Sequence, residues 1–449
     1  MGDNTEIRHK SKKEQEEALR VRREERRKRR KRNQTLAYLF SSLFVIVVMV
    51  SVVMAVLYIG NLEKARAASN PSVPDDIGSI IGTEESLVMP DSDLAQPQSK
   101  EEMLDEIINA AIEVMPIEDK VAGLFIVTPE SITGVKTAKQ AGEGTKEAMN
   151  KWAVGGLIYF AENLETKEQI AEMISNTSLY SKYPLFIGID EEGGTASRVA
   201  DAGFAENVGS AESIGETADP TQAYAAGESI AGYLKELGFN LNFAPVADIN
   251  NIEDSYIGDR SYGSDSSVVA SMATAMVQGL EENGVSACLK HFPGIGSSVE
   301  DTHVGMSDTD RSAEQLRGEE FVVFKTGIDA GVDFVMVSHL SVPALTGDNT
   351  PSSLSKAVVT DVLREELGFK GIIITDAMKM GAITEYYEAD EAAILALKAG
   401  CDMILMPDDF EKAYNGVLEA VQNGTISEAR IDDSLRRIYR IKYADKLAD

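Results

Sequence analysis

The sequence predicts an α/β protein, a (β/α)8 TIM-type barrel preceded by one transmembrane helix. Short apolar runs recur along residues 101–449, and stretches with helical character separate them, a pattern typical of repeated β–α units. Several of these runs end in charged or histidine side chains, and a long uncharged apolar segment stands near the N-terminus. A doubly wound open sheet is the alternative, because periodicity alone does not show that a sheet closes on itself.

The apolar runs are the predicted strands. Runs such as 185–189 (LFIGI) are apolar throughout, as expected for parallel strands that are buried on both faces. The intervals between runs, mostly about 28 to 55 residues, leave room for a crossover helix after each strand. The runs lie at 121–127, 154–160, 184–190, 239–248, 285–292, 332–339, 371–376 and 399–407. Amphipathic segments between them lie at 220–237, 266–283, 356–367 and 389–398.

Residues 35–60 are predicted to form a transmembrane signal anchor. Their apolar core, 36–59, is 24 residues long, or about 36 Å as a helix, which is enough to span a bilayer. Residues 1–34 are rich in Lys and Arg, so the positive-inside rule keeps them in the cytoplasm and places residues 61–449 outside the cell. A signal peptide cleaved near Ala67 is the alternative, although its apolar region would be unusually long.

The predicted domain organisation follows from these segments. A basic cytoplasmic tail (1–34) precedes the anchor (35–60). An extracellular linker (61–100), with scattered prolines and no apolar period, follows it. Residues 101–449 then form the barrel, which is the predicted catalytic domain. The chain is therefore expected to be a single-pass protein of the cell membrane.

The charge of the chain is divided between two regions. Residues 1–34 hold 14 basic and 7 acidic side chains, a net charge of +7, out of 43 and 73 in the whole chain. The remainder holds 29 basic and 66 acidic side chains, a net charge of −37. A surface this acidic repels nucleic acid. Two cysteines cannot build a disulfide scaffold or a multi-cysteine zinc site, and Cys288 and Cys401 are interpreted as buried apolar residues.

Polar side chains stand where the predicted strands end. Asp190 ends the third run, Lys290 and His291 end the fifth, and Asp376 ends the seventh. Catalytic groups of a barrel lie at these carboxyl ends and in the loops that follow them. Asp376 could instead be the N-cap of the next helix.

The loop after the fifth run contains a carboxylate two residues before a histidine. The Asp301 carboxylate can orient the His303 imidazole and favour its charged form, as an acid/base group requires. A metal site is the alternative interpretation. Against a metal site, the sequence has no second histidine at helical spacing and no cysteine nearby.

A set of motifs in fixed order resembles the signature of glycoside hydrolase family 3, in its β-N-acetylhexosaminidase branch, over roughly residues 105–445. The motifs are 189–194 (IDEEGG) with Arg198, 257–263 (IGDRSYG), 290–296 (KHFPGIG) followed by 301–303 (DTH), 351–355 (PSSLS) and 367–376 (LGFKGIIITD). The resemblance implies a (β/α)8 fold and a retaining mechanism without a cofactor. It implies that Asp376 is the nucleophile, His303 the general acid/base and Asp301 its partner. It also implies sugar-binding roles for Asp190, Arg198, Arg260, Lys290 and His291.

This resemblance predicts a retaining exo-β-N-acetylglucosaminidase that hydrolyses terminal β-linked N-acetylhexosamine. Peptidoglycan-derived fragments or other GlcNAc oligosaccharides are the expected substrates. The chain departs from the family pattern at Ile295, where a second His is usual, and at Thr195, near which an Arg is frequent. The alternatives are a β-N-acetylglucosaminide phosphorylase or a β-glucosidase on the same scaffold, or a catalytically silent cell-wall-binding module.

Overall fold

The computed structural model of the chain describes residues 99–252, 255–298 and 305–443. The predicted tail, the anchor and nearly all of the linker lie outside the described residues, and so do Asp301 and His303. Within the described residues, no helix is both long enough and apolar enough to cross a membrane. The prediction of an anchor at 35–60 therefore stays a prediction.

Eight parallel strands form one sheet whose order is β10-β1-β2-β3-β6-β7-β8-β9. A parallel bridge between Ile374 and Met403 joins the two ends of this sheet, so the barrel is nearly closed. This arrangement is consistent with a TIM-type barrel rather than an open doubly wound sheet. β4 and β5 form a separate antiparallel pair. The strands are β1 Phe125–Val127, β2 Gly156–Ile158, β3 Phe186–Ile189, β4 Glu191–Gly193, β5 Ala196–Ser197, β6 Leu241–Asn242, β7 Ser286–Phe292, β8 Phe334–Val337, β9 Ile372–Thr375 and β10 Ile404–Leu405.

Each predicted run contains one strand of the barrel, but the hydrogen-bonded strands are shorter than the runs. The run 121–127 begins inside a helix, Ile117–Ala122, so Val121 and Ala122 are helical. Both residues are buried. An apolar run indicates burial but does not distinguish a helix from a strand. The start of this strand was therefore predicted too early.

Helices connect the strands and surround the barrel. The predicted helices at 220–237, 266–283, 356–367 and 389–398 are each confirmed to within a residue or two. The α-helices are Lys100–Glu113, Ile117–Ala122, Pro129–Thr133, Glu143–Lys151, Lys167–Tyr180, Arg198–Asp201, Ala211–Gly215, Pro220–Leu237, Ser266–Glu281, Ala313–Gly318, Glu320–Asp329, Pro343–Thr346, Gly381–Thr384, Ala389–Ala399, Phe410–Gln422 and Glu428–Tyr443. Single 3-10 turns lie at Ala161–Asn163, Gly258–Arg260 and Ser352–Leu354, and Ala357–Glu366 has π-helical hydrogen bonding.

The helices on either side of β6 cross at two glycines. A Cβ on Gly279 would lie 2.3 Å from the carbonyl oxygen of Tyr224, and one on Gly227 would lie 2.6 Å from that of Met276. Only glycine allows two helix backbones to approach this closely. The two helices flank β6 in the chain, and the second leads into β7, which carries Lys290 and His291 of the candidate site.

The C-terminal helix, Glu428–Tyr443, lies against the amino ends of the strands. Lys442 Nζ donates hydrogen bonds of 2.7 Å to the carbonyl oxygens of Gly155 and Pro184, which lie just before β2 and β3. Burial lowers the pKa of Lys442 to about 7. This helix therefore covers part of the amino-terminal face of the barrel. The polar residues at the carboxyl ends of the strands lie on the opposite face.

Candidate active site

Residues from three strands bring charged groups to the carboxyl end of the barrel. Asp190 directly follows β3, Asp376 directly follows β9, and Lys290 lies near the end of β7. Their charges act on one buried atom, the thiol of Cys288. Burial raises the pKa of that thiol, the positive charge of Lys290 opposes the rise, and the carboxylates of Asp190 and Asp376 add to it. Lys290 and Asp190 are in direct contact, and the charge of Asp376 acts on the same thiol as theirs.

Asp190, Glu192, Arg260 and Lys290 form an ion cluster. Lys290 Nζ lies 2.9 Å from Asp190 Oδ1 and 2.6 Å from Glu192 Oε1. Arg260 donates from Nε and Nη2, at 2.8 Å each, to the two oxygens of Glu192. Residues 190 and 192 are two positions apart in extended chain, so both side chains point to the same side. The cluster joins the ends of β3 and β7 to the loop after β6.

The ion cluster favours the charged forms of Glu192, Arg260 and Lys290. Burial alone would raise the pKa of Glu192, but Lys290 and Arg260 hold it well below its usual range. Burial opposes the charge of Lys290, whereas Asp190 and Glu192 raise the pKa of Lys290. Lys290 is therefore a cation at neutral pH, suited to hold a hydroxyl oxygen but not to accept a proton.

Asp248 fixes the orientation of His291. Its side chain is fully buried, and Oδ2 lies 2.7 Å from His291 Nδ1 and accepts a hydrogen bond from His291 N at 3.1 Å. Oδ1 accepts a further bond from Ile295 N at 2.8 Å. A carboxylate at Nδ1 selects the tautomer with a proton on Nδ1 and leaves Nε2 for another partner. Asp248 is the last residue of the fourth predicted run. That position at a strand end could have identified it as a site residue from the sequence.

Arg198 begins a short helix that a buried carboxylate holds. Glu191 accepts hydrogen bonds from Val199 N at 2.7 Å, Ala200 N at 3.0 Å and the hydroxyl of Tyr233 at 2.9 Å. Burial raises the pKa of Glu191, and these bonds oppose the rise. The Nε of Arg198 is buried and has no hydrogen-bond partner in the described part of the chain. This nitrogen is a donor that a ligand could satisfy.

Hydrogen bonds to backbone groups hold Asp376 at the end of β9. Asp376 N donates to the carbonyl of Val337 at 2.8 Å, and Oδ1 accepts from Ala377 N at 2.7 Å. The next helix begins at Gly381 after Met380. Asp376 is therefore not its N-cap, and that alternative is wrong.

His339 contacts the backbone at this strand end. It is fully buried, its Nδ1 lies 2.8 Å from Ser353 Oγ, and its Nε2 lies 3.1 Å from the carbonyl oxygen of Ala377. Ser353 belongs to the PSSLS motif, which thus supports the residue after Asp376. His291 lies on β7 next to Lys290 of the ion cluster, whereas His339 follows β8.

The described residues on either side of the segment with Asp301 and His303 are hydrogen-bonded to each other. Ser298 Oγ lies 2.7 Å from Ser307 Oγ, and Ser297 Oγ lies 2.9 Å from Thr309 Oγ1. Ile295, one of the two departures from the family pattern, is buried. No group of His, Cys, Asp or Glu suited to a metal ion occurs in the parts of the chain that the structure covers.

A parallel barrel with charged side chains at the carboxyl ends of its strands is the arrangement of barrel enzymes. The sequence signature described as "Glycosyl hydrolase family 3 N terminal domain" matches residues 116–441. The chain belongs to glycosyl hydrolase family 3, which places it among the glycoside hydrolases.

Several relatives show the same family. "Beta-hexosaminidase A" of Pseudoalteromonas piscicida is 31% identical over 326 residues, which are 66% of this chain and 54% of that protein. "Beta-hexosaminidase" of Nitrosomonas eutropha is 35% identical over 266 residues, 58% of this chain and 75% of that protein. The structure of a glycoside hydrolase family 3 β-N-acetylglucosaminidase from Paenibacillus sp. str. FPU-7 has a TM-score of 0.70 and 34% identity, covering 75% of this chain and 64% of that one. This chain thus spans about half the length of the Pseudoalteromonas relative.

Proposed function

We propose that the chain is a retaining exo-β-N-acetylglucosaminidase that hydrolyses terminal β-linked N-acetylhexosamine. The observation that carries the proposal is the ion cluster at the same barrel end as Asp376. Family membership and the names of the relatives, β-hexosaminidase and β-N-acetylglucosaminidase, support this substrate class.

The proposed reaction has two steps. The Asp376 carboxylate attacks the anomeric carbon while the His303 imidazolium gives its proton to the leaving glycosidic oxygen, so one C–O bond forms as the other breaks. Neutral His303 then removes a proton from water, whose oxygen displaces Asp376 and restores the original configuration. Asp301 orients His303 and stabilises its charged form in the first step.

The remaining groups hold the sugar in the reactive orientation. Asp190 and Lys290 offer an acceptor and a donor at the rim of the barrel. Arg198 Nε and His291 Nε2 supply further hydrogen-bonding positions. Arg260 is already bidentate on Glu192, so its part is to fix that carboxylate beside the sugar hydroxyls. Such positioning supplies a large share of the rate of an enzymatic reaction.

The cellular setting belongs to the same proposal. The uncharged core at 36–59 and the basic residues before it support a single-pass anchor at 35–60 with a cytoplasmic N-terminus. Residues 61–100 would then tether an extracellular barrel to the membrane. An enzyme in that position would meet peptidoglycan fragments and other GlcNAc-capped oligosaccharides.

Chromophore release from matched aryl glycosides tests the substrate and the reaction. Aryl β-GlcNAc should be cleaved with a much higher kcat/KM than aryl β-glucoside. Added phosphate should leave the rate unchanged, with GlcNAc and not GlcNAc 1-phosphate as the product. Preference for the glucoside, a requirement for phosphate, or no release from either substrate would each overturn the proposal.

A further inference from the structure

A cavity of about 490 Å³ lies on the amino-terminal face, away from the candidate active site. Its walls come from the helix Lys100–Glu113, the turn before β9, and the C-terminal helix Glu428–Tyr443. Arg364, in the wall, donates at 2.9 Å to the carbonyl oxygen of Gly371, the residue before β9. The cavity is thus at the amino ends of the strands, whereas Asp376 follows the carboxyl end of β9.

This basic cavity has an excess of positive charge. Five basic and two acidic side chains line it: Arg364, Lys370, Arg436, Arg437, Arg440, Asp105 and Asp433. Including the buried Asp402 behind the wall, five cations face three carboxylates, a net charge of +2. The whole chain carries −30, so the positive charge here runs against the overall balance and attracts an anion.

The carboxylate behind the cavity is shared among arginines. Asp402 accepts from Arg364 Nη2 at 2.6 Å and from Arg437 Nη1 at 2.9 Å, and Arg430 lies 3.8 Å away. Burial lowers the pKa of Arg364, Asp402 opposes this, and repulsion from Arg437 and Arg430 adds to it. One carboxylate therefore does not neutralise the guanidinium groups around it.

Several donors at the mouth of the cavity are available to a ligand. Lys370 is exposed and makes no ion pair or hydrogen bond within the described residues. Arg436 is exposed, with Nε on Asn109 and Nη1 on Asp433, which leaves Nη2. Arg437 uses Nη1 for Asp402. These three side chains present the guanidinium and ammonium groups that bind phosphate oxygens in proteins.

We propose that the basic cavity binds a phosphate-bearing ligand, with Lys370, Arg436 and Arg437 contacting the phosphate oxygens. The volume, about 490 Å³, lies within the range of small-molecule sites, about 300–1,000 Å³. The phosphate supplies the negative charge that Asp402, Asp433 and Asp105 do not. The same chemistry is found in free phosphate and in the phosphodiester headgroup of a glycerophospholipid.

Calorimetric titration of the full chain in nonionic detergent tests this proposal with two soluble probes, inorganic phosphate and glycerophosphoglycerol. Saturable binding of either probe is expected, and the tighter probe identifies the source, free phosphate or a lipid headgroup. The double variant Lys370→Gln/Arg436→Gln should weaken binding by about tenfold or more. Lys167→Gln, an exposed lysine at the start of the helix after β2, is the matched control and should leave the affinity unchanged.

The outcome that overturns the proposal is the absence of saturable binding, or equal affinity in the wild type and the double variant. Lys370→Glu is the second variant if the double variant does not fold, and it should weaken binding by about tenfold or more. Hydrolysis of aryl β-GlcNAc should be the same in all these variants. The anion site and the proposed hydrolase activity can therefore fail independently.

Discussion

Glu192 accepts hydrogen bonds from both cations of the ion cluster, and no other carboxylate in the described residues joins Lys290 to Arg260. The family resemblance implies sugar-binding roles for Arg260 and Lys290 but does not single out Glu192. The signal was nevertheless there, since Glu192 lies two positions after Asp190 in extended chain and shares its side. The pairing itself joins residues 98 and 68 positions apart, which spacing along the chain cannot reveal.

Replacing this carboxylate should impair the hydrolysis of aryl β-GlcNAc. In Glu192→Gln, Lys290 and Arg260 lose the charge that holds them in place, and a small displacement of positioning groups typically costs about 10²-fold in rate. We expect kcat/KM to fall by about that factor. Glu162→Gln, an exposed side chain in the loop after β2, is the control. An unchanged kcat/KM in Glu192→Gln would show that the ion cluster does not position the substrate.

The same variant should change how stability depends on pH. Because Lys290 and Arg260 hold the pKa of Glu192 below its unfolded value against the effect of burial, the ionised form stabilises the fold above the unfolded pKa, about 4.3. That stabilisation is lost as the pH falls through the folded pKa. The melting temperatures of wild type and Glu192→Gln should therefore differ most at neutral pH, and the difference should begin to shrink only below about pH 4 and go on shrinking as the pH falls further. A gap that stays constant into acid would contradict this.

At the scale of elements, the barrel depends on helix contacts that glycines permit. The apolar runs predicted the strands because buried parallel strands are apolar throughout. The ends of the strands were less well predicted, since the apolar run 239–248 continues beyond the two residues of β6. Nothing in those runs indicates that Gly227 and Gly279 face each other, because that contact depends on how two helices cross.

Gly279→Ala should destabilise the barrel. The new Cβ would lie 2.3 Å from the carbonyl oxygen of Tyr224 and 2.9 Å from Glu228 N, so the two helices must move apart. Such overpacking typically costs about 1–3 kcal/mol. Gly232→Ala is the matched control, because this helical glycine has no neighbouring atom within 4 Å of the added Cβ. It should be neutral or stabilising by about 0.5–1 kcal/mol. Urea unfolding measures both, and equal effects would contradict the account of the crossing.

At the scale of the whole molecule, the described part of the chain opens with a capped helix. Ser99 caps the helix Lys100–Glu113: its Oγ accepts from Glu102 N at 3.1 Å, and its N donates to Glu102 Oε2 at 2.8 Å. A capping box is a common start of a helix, and the change from linker to barrel near residue 100 stays a prediction. The parallel order of all eight strands could be predicted because every unit repeats the same pattern. The contacts of the N-terminal 98 residues stay outside what the structure describes.

A truncated protein that begins at Ser99 should be soluble without detergent. It should cleave aryl β-GlcNAc with the kcat/KM of the full chain, because the described ion cluster and Asp376 lie entirely within it. Gel filtration and the chromophore assay check both statements. Aggregation of the truncated protein, while the full chain in detergent is active, would show that the preceding residues are part of the folded domain.

The central claim, that Asp376 is the nucleophile and His303 the acid/base group, is tested most directly by trapping the covalent intermediate. An aryl leaving group of low pKa needs little protonation, so His303→Ala should still form the glycosyl-enzyme but hydrolyse it slowly, with a loss of about 10²–10⁴-fold. Mass spectrometry of His303→Ala should then find the sugar on Asp376, and azide, which needs no general base, should restore turnover by forming the β-glycosyl azide. Asp376→Ala should form no adduct and respond to no anion in this way. An adduct on another carboxylate, or equal loss in His303→Ala for good and poor leaving groups, would contradict the account.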